Sequence, residues 1–136
     1  MDYIAWDEKF SIKIDTIDLQ HKKLISLIND VNQSLKSGAS RKDISKIFND
    51  MIDYTKEHFT YEENLFSKYS YREGLKHKID HSNFISKTLF LYGDFVSDKG
   101  VDLNNILNFL VEWLQDHILG DDMRFGEFMQ GKGVKL

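Results

Sequence analysis

The residues with most chemistry to offer are five histidines, His21, His58, His77, His81 and His117, together with the carboxylate of Glu62. A neutral imidazole carries one donor and one acceptor nitrogen, and its unprotonated nitrogen is a ready metal ligand. His58-x-x-x-Glu62 and His77-x-x-x-His81 are i,i+4 pairs, a spacing that projects both side chains from one face of a helix. Every histidine falls in line with Leu, Ile and Phe at helical spacing. A single buried histidine is ordinarily a hydrogen-bonded core residue, but five on inward faces each need a partner in a low-dielectric interior. A shared metal centre satisfies all of them together. Glu62 lies in a stripe that continues to Leu65, where a carboxylate without a cation would be protonated or very costly. The run His117-Ile-Leu-Gly-Asp-Asp122 suggests one ligand more. A regular helix turns position i+5 about 140° away from i. Gly120 offers a place to bend or tighten the last turn, so that Asp121 or Asp122 swings back to the core, and spacing alone does not choose between them.

Composition removes several other chemistries. With no cysteine, the chain has no disulfide, no thiolate nucleophile and no iron–sulfur ligand. The net charge is −4, and Lys and Arg are scattered, which argues against nucleic acid or an anionic membrane surface as partner. No apolar run approaches the roughly 18 residues of a membrane span, so no membrane insertion is expected. Met1 to Phe10 carries Asp2, Asp7 and Glu8 and lacks a signal-peptide core, which makes the cytoplasm the expected location. At 136 residues, 41% hydrophobic and 29% charged, the chain reads as one globular domain over residues 1–136. Ten Phe, six Tyr and two Trp provide for a well-filled core.

These side chains need helices to position them. There is no proline to break one, and the apolar pattern is helical throughout. Residues 1–14 read as an extended arm, with Trp6, Phe10, Ile12 and Ile14 available for packing. Asp15, followed by Asp18, is the expected cap of a first helix with the stripe Ile17, His21, Leu24, Ile28, Val31 and Leu35, ending at Ser37-Gly38. Ser40 caps a second, carrying Ile44, Phe48, Met51, Thr55, His58, Glu62 and Leu65. A third begins near Tyr71 or Arg72, carries His77, His81, Phe84, Thr88, Leu91 and Phe95, and turns at Ser97–Gly100. A fourth carries Leu103, Ile106, Leu107, Leu110, Leu114 and His117 and ends near Gly120. Phe125, Phe128 and Met129 suggest a short C-terminal helix. The sequence therefore predicts an all-α, antiparallel up-down-up-down four-helix bundle with an N-terminal arm. In such a bundle one level lies near the start of helices one and three and near the end of two and four. His21, His77 and His81 sit early in their helices and His58, Glu62 and His117 late, so all of them can meet at one depth.

The set His21, His58-x-x-x-Glu62, His77-x-x-x-His81, His117-x-x-x-x-Asp122 resembles the hemerythrins of the single-domain bacterial type. The resemblance extends to Trp6 and Phe10 of the arm, to Ile17–Lys22, to His58-Phe59 with Glu62-Glu63, and to Trp113-Leu114 before His117-Ile118. It favours Asp122 over Asp121. The loop Tyr69-Ser70-Tyr71 departs from the family in lacking a proline often found there. What the resemblance implies is a non-haem centre of two iron ions (Fe2+/Fe3+). Glu62, Asp122 and an oxo or hydroxo group would bridge them, with His77, His81 and His117 on one iron and His21 and His58 on the other. Counting ligands on two octahedra then leaves one position open, on the iron with two histidines, where dioxygen can bind. Ferritin-like di-iron sites carry more carboxylates and Glu-x-x-His pairs. A nitrogen-rich centre suits reversible binding better than oxidation of an organic substrate. Leu24, Phe59, Trp113, Leu114 and Ile118 lie beside ligands and are expected to line a dry oxygen pocket while packing the core.

The expected role is thus reversible dioxygen binding for carriage, storage or supply, without enzymatic turnover, and a protein acceptor of oxygen is compatible with it. An oxygen or redox sensor module, peroxide or nitric-oxide handling, iron storage, and a bundle holding zinc are the competing readings. Sensor versions usually sit within longer chains, which makes that reading the weaker one. Spacing and composition say nothing of oligomeric state.

Overall fold

The computed structural model describes residues 3–100, 102–134 and 136. Four long helices follow one another: α1 Asp15–Lys36, α2 Arg41–Lys68, α3 Gly74–Val96 and α4 Leu103–His117. A π-helical turn, Ile118–Asp122, joins α4 without interruption to a short α5, Met123–Gly131. Among the described residues there is no strand. Helix α1 packs on α2, α2 on α3, α3 on α4 and α4 back on α1, which closes the up-down-up-down bundle the apolar stripes predict.

The turns follow local chemistry. Gly38 takes the left-handed conformation (φ 73°) that ends α1, with Ala39 N–H donating to Ser34 O at 3.0 Å. Ser40 then caps α2 by accepting from Asp43 N–H at 3.1 Å, and Asp102 caps α4 by accepting from Asn104 N–H at 2.9 Å.

Two helix starts differ from expectation. Asp15 is the first residue of α1 and provides no side-chain cap, because the cap position is Ile14. Asp18 instead faces the arm, accepting from Ser11 Oγ at 2.6 Å and from the buried Ile12 N–H at 3.0 Å. Helix α3 starts at Gly74 rather than at Tyr71 or Arg72. Tyr71 is held in the loop by its N–H bond to Phe66 O (2.9 Å) and by its ring, which packs on Phe66, Phe125 and Phe128.

Met1 and Asp2 of the expected arm lie outside the described residues. The rest is not extended throughout, since Glu8–Phe10 forms one 3-10 turn, capped by Asp7 accepting from Lys9 N–H. Phe10, Ile12 and Ile14 are buried as expected, and Ile4 joins them, while Trp6 is half-buried against Phe10. Asn29 of α1 clamps the arm by accepting from Tyr3 and Ile4 N–H and donating to Ile4 O. The arm crosses α5 closely: a Cβ on Gly126 would stand 2.3 Å from Ile12 O. No helix among the described residues is long and apolar enough to cross a membrane.

Candidate metal centre

All seven candidate ligands are buried at one level of the bundle: His21 and His58, Glu62, His77 and His81, His117 and Asp122. Their donor atoms fall into two groups, each within 4.8 Å. One comprises His77, His81 and His117 with Glu62 and Asp122; the other comprises His21 and His58 with the same two carboxylates.

The π turn brings Asp122 inward. Gly120 neither bends nor tightens the helix. The turn widens, and the side chain five residues beyond His117 returns to the same face. Asp122 Oδ1 then lies 2.9 Å from His77 Nε2 and 3.3 Å from His117 Nε2, and its Oδ2 lies 3.1 Å from His21 Nε2. Asp121 stays at the rim, with Oδ2 3.2 Å from His117 Nδ1.

Three ring nitrogens point at one another: His117 Nε2 is 2.8 Å from His77 Nε2 and 3.1 Å from His81 Nε2. Neighbouring donors held about 2.1 Å from a six-coordinate ion stand about 3 Å apart, so the donor set has the separation of a coordination shell. The carboxylates tell the same story. Glu62 and Asp122 are fully buried, yet no oxygen of either has an aligned hydrogen-bond partner. Glu62 Oε1 is 3.2 Å from His58 Nε2 and 3.5 Å from His81 Nε2, but these approaches are misaligned and count as proximity, not hydrogen bonds. Both nitrogens of His21 are likewise unpartnered. Fully buried polar atoms without partners cost stability and call for an explanation, which a cation between them provides. The residues therefore fit a metal pair.

Electrostatics describes the same cluster as overcrowded. Burial lowers His58 to about 4 and, with His117 and His77 adding to the burial, His81 to about 2, so both imidazoles are neutral donors at pH 7. Burial pushes the Glu62 carboxyl well above its ordinary range, and the Asp122 charge pushes it further. Burial would lower His117 too, but the Asp122 charge outweighs it and, with the Asp121 carboxylate accepting beside Nδ1, raises the imidazole to about 10. Asp122 is held well below its usual range: burial opposes this, and the neighbouring His117 wins. Without metal, the cluster keeps a proton on His117 at pH 7 and disfavours the charged form of Glu62.

Three groups orient the imidazoles through their outer nitrogens, two of them unmarked in the sequence pattern and the third, Asp121, expected there only as an alternative ligand. Gln20 Oε1 lies 2.6 Å from His58 Nδ1 and Glu63 Oε2 lies 2.9 Å from His81 Nδ1, with Asp121 serving His117. Each acceptor fixes an Nδ1–H tautomer and turns the Nε2 lone pair inward. Aromatic rings fix the planes: Phe59 stacks on His81 at 3.7 Å and Trp113 on His117 at 4.3 Å.

A model of the hemerythrin HHE cation binding domain matches residues 12–128. The chain belongs to the hemerythrin family. It is similar to a bacteriohemerythrin of Stenotrophomonas maltophilia, 29% identical over 93% of this chain and 82% of that protein. It is also 31% identical to a hemerythrin-like protein of Naegleria gruberi, over 88% of each chain. A crystal structure of wild-type hemerythrin, 25% identical, superposes with a TM-score of 0.84 over 92% of this chain and 96% of that one. Family, bundle and buried His/Glu/Asp cluster together support a hemerythrin-type iron- and oxygen-binding role.

Of the five expected pocket residues, Leu24, Phe59, Trp113 and Leu114 do line one apolar cavity of about 20 Å³, with Ile28, Met51, Thr55, Phe84 and Leu110 among the residues completing it. Ile118 does not line it. It is buried at the start of the π turn, past His117, whereas the cavity lies on the opposite side of the ligand level, around Leu110–Leu114. The additional lining residues were findable, since Ile28, Thr55, Phe84 and Leu110 stand one or two helical turns from His21, His58, His81 and His117.

Proposed function

We propose that this chain binds dioxygen reversibly at a non-haem di-iron centre, as a carrier, store or supply protein and not as an enzyme. The observation that carries the reading is the unequal division of ligands, three histidines on one side and two on the other with Glu62 and Asp122 common to both, set against an apolar cavity. Two iron ions joined by an oxo or hydroxo bridge would supply the electrons and the coordination position for dioxygen. His77, His81 and His117 would hold one and His21 and His58 the other, with Glu62 and Asp122 bridging.

The chain's own contribution is orientation and dryness. Gln20, Glu63 and Asp121 hold protons on outer imidazole nitrogens, away from the ligand side. The cavity abuts the histidines through Phe59 and Trp113. Two of its linings carry polar groups, Thr55, whose hydroxyl is already committed to Met51 O at 2.8 Å, and Trp113 with its indole N–H. A cavity of about 20 Å³ with the Trp113 indole as its one uncommitted donor offers water too few partners to stay, but accepts an apolar diatomic. Exclusion of water and mobile protons favours release of dioxygen as dioxygen.

The test is to load the purified protein with iron, reduce it anaerobically, admit air, and follow the visible spectrum through a return to argon. A coloured adduct that forms and disappears over repeated cycles supports the reading. Immediate oxidation that argon does not reverse overturns it.

A further inference from the structure

Among the described residues seven large hydrophobic side chains are prominently exposed, and five of them belong to α3: Leu75, Ile79, Leu89, Phe90 and Val96. Helix α3 already buries Phe84, Thr88, His77 and His81 on its core side. Its outer face carries a second stripe, Leu75, Ile79, Ser82, Ser86, Leu89, Gly93 and Val96, spaced alternately by four and three, with Phe90 beside it. At about 100° per residue these positions stay within an arc of about 120°, the seam pattern of a helix that packs on another helix.

We propose that this face is the interface of a two-fold symmetric dimer in which α3 packs antiparallel on α3 of a second copy, centred on Ser86. The reading is independent of the metal centre. What selects a second copy as occupant is that the stripe is complementary to itself when reversed. Centring on Ser86 sets Leu75 against Val96 of the second copy and places small residues opposite large ones. Ile79 meets Gly93, Leu89 meets Ser82, and Ser86 meets Ser86 at the dyad. An isologous interface requires this reciprocity.

One flanking charge pair obeys the same register, while Lys87, near the dyad, is turned toward the Phe109 ring of its own α4. A dyad perpendicular to the helix brings each flank against itself, so Lys76 of one copy lies beside Asp94 of the other, twice over. Both residues are on the same flank, about 18 residues apart and thus about 27 Å along the helix, too far to pair within one chain. Among the described residues neither has an ion-pair partner.

The area is sufficient. The five side chains, between 41% and 73% exposed, present roughly 500 Å² per copy, so that pairing buries about 1,000 Å², the lower bound for a specific interface. The stripe also borders an open groove of about 400 Å³ between α2 and α3, lined by Ser82, Ile85, Ser86 and Phe59. Leu89 of the second copy would enter it, on the side where Glu63 bonds His81.

Sedimentation of the full chain tests the proposal. We expect association to twice the 16.0 kDa chain mass with a dissociation constant of about micromolar order. Phe90→Glu and Ile79→Glu should each weaken it at least about a hundredfold, with helix content by circular dichroism unchanged. Lys76→Asp or Asp94→Lys alone should weaken it about tenfold, and the two together should restore it, a rescue that a merely sticky surface does not give. Because the chain has no cysteine, Ser86→Cys should form a disulfide-linked dimer on mild oxidation, whereas Lys42→Cys on α2 should not. A chain that stays monomeric to about 500 µM, one whose monomer binds lipid vesicles through this face instead, or a dimer indifferent to Phe90→Glu and to the charge exchange would overturn the proposal.

Discussion

Replacing Glu62 by Leu, a side chain of similar volume, should stabilise the metal-free protein and abolish the stabilisation that metal confers. In the metal-free chain Glu62 is fully buried, both its oxygens lack aligned hydrogen bonds, and burial pushes its carboxyl well above the ordinary range. An unsatisfied buried polar group costs about 1–3 kcal/mol, which Glu62→Leu removes. For a domain of this size 1 kcal/mol corresponds to about 4 °C, so the metal-free melting temperature should rise by about 4–12 °C. With metal the sign reverses. Wild-type protein in the presence of iron at a thousand times its dissociation constant gains about 4 kcal/mol, and Glu62→Leu, lacking a carboxylate common to both ligand groups, should lose most of that gain. The assay is thermal unfolding by circular dichroism at pH 7, with ferrous iron under anaerobic conditions and with chelator. The opposing reading is that Glu62 is a structural partner of His58 at 3.2 Å. Breaking a buried pair costs about 3–5 kcal/mol, so a metal-free melting temperature lowered by more than 10 °C or so would refute the argument.

Three further outcomes follow from the geometry. Because His117 is raised to about 10, metal must displace its proton; affinity should therefore rise with pH between 6 and 9, by about tenfold per unit, more steeply wherever Glu62, raised by burial, also releases a proton, and chelator competition that finds no pH dependence contradicts this. Asp121→Asn removes the charge 3.2 Å from His117 Nδ1 and should weaken iron binding about 10–100-fold while leaving the melting temperature of the metal-free chain within about 2 °C, as read by equilibrium dialysis and thermal melts. Gly126→Ala would place a Cβ 2.3 Å from Ile12 O, so it should displace the arm and destabilise the fold by about 1–3 kcal/mol, with faster hydrogen exchange at Ile12 N–H as the local signature.

Much of this centre was legible because ligand and core positions obey the same periodicity. His21, His58, His77, His81 and His117 stand in register with Leu and Ile, and the i,i+4 pairs fix two helix faces outright. Asp122 was not legible from spacing, since an ordinary helix carries i+5 away from i; the choice over Asp121 needed the family resemblance, and its physical reason is the π turn. The outer roles of Gln20 and Glu63 carry no mark in the apolar pattern, and Asp121, a candidate ligand by spacing, holds the outer nitrogen of His117 instead. The cap of α1 was misplaced by one residue, because the helix already begins at Asp15 with Ile14 at the cap position, while Asp18 reaches back six residues to Ile12 N–H, a tie to the arm that capping rules do not contain. The start of α3 was placed too early for a similar reason, as Tyr71 is held in the loop by rings from α2 and α5.

The size of the cavity is the physical ground for proposing binding in preference to oxidation of a second substrate. Pockets that accept organic molecules run to about 300–1,000 Å³, whereas the apolar cavity beside the histidines measures about 20 Å³. It cannot be enlarged at no cost, because its walls also hold the ligands in place: Phe59 stacks on His81, and Trp113 on both His117 and Phe84. Moving either ring outward to admit a larger molecule would release an imidazole plane at the same moment. The larger groove of about 400 Å³ between α2 and α3 is lined by Phe59, Glu63 and His81 itself, whose outer nitrogen is held by Glu63, so a molecule entering there meets the same orienting contacts. The fold thus couples access to ligand geometry, and the molecules it admits without loosening the centre are those about as small as dioxygen.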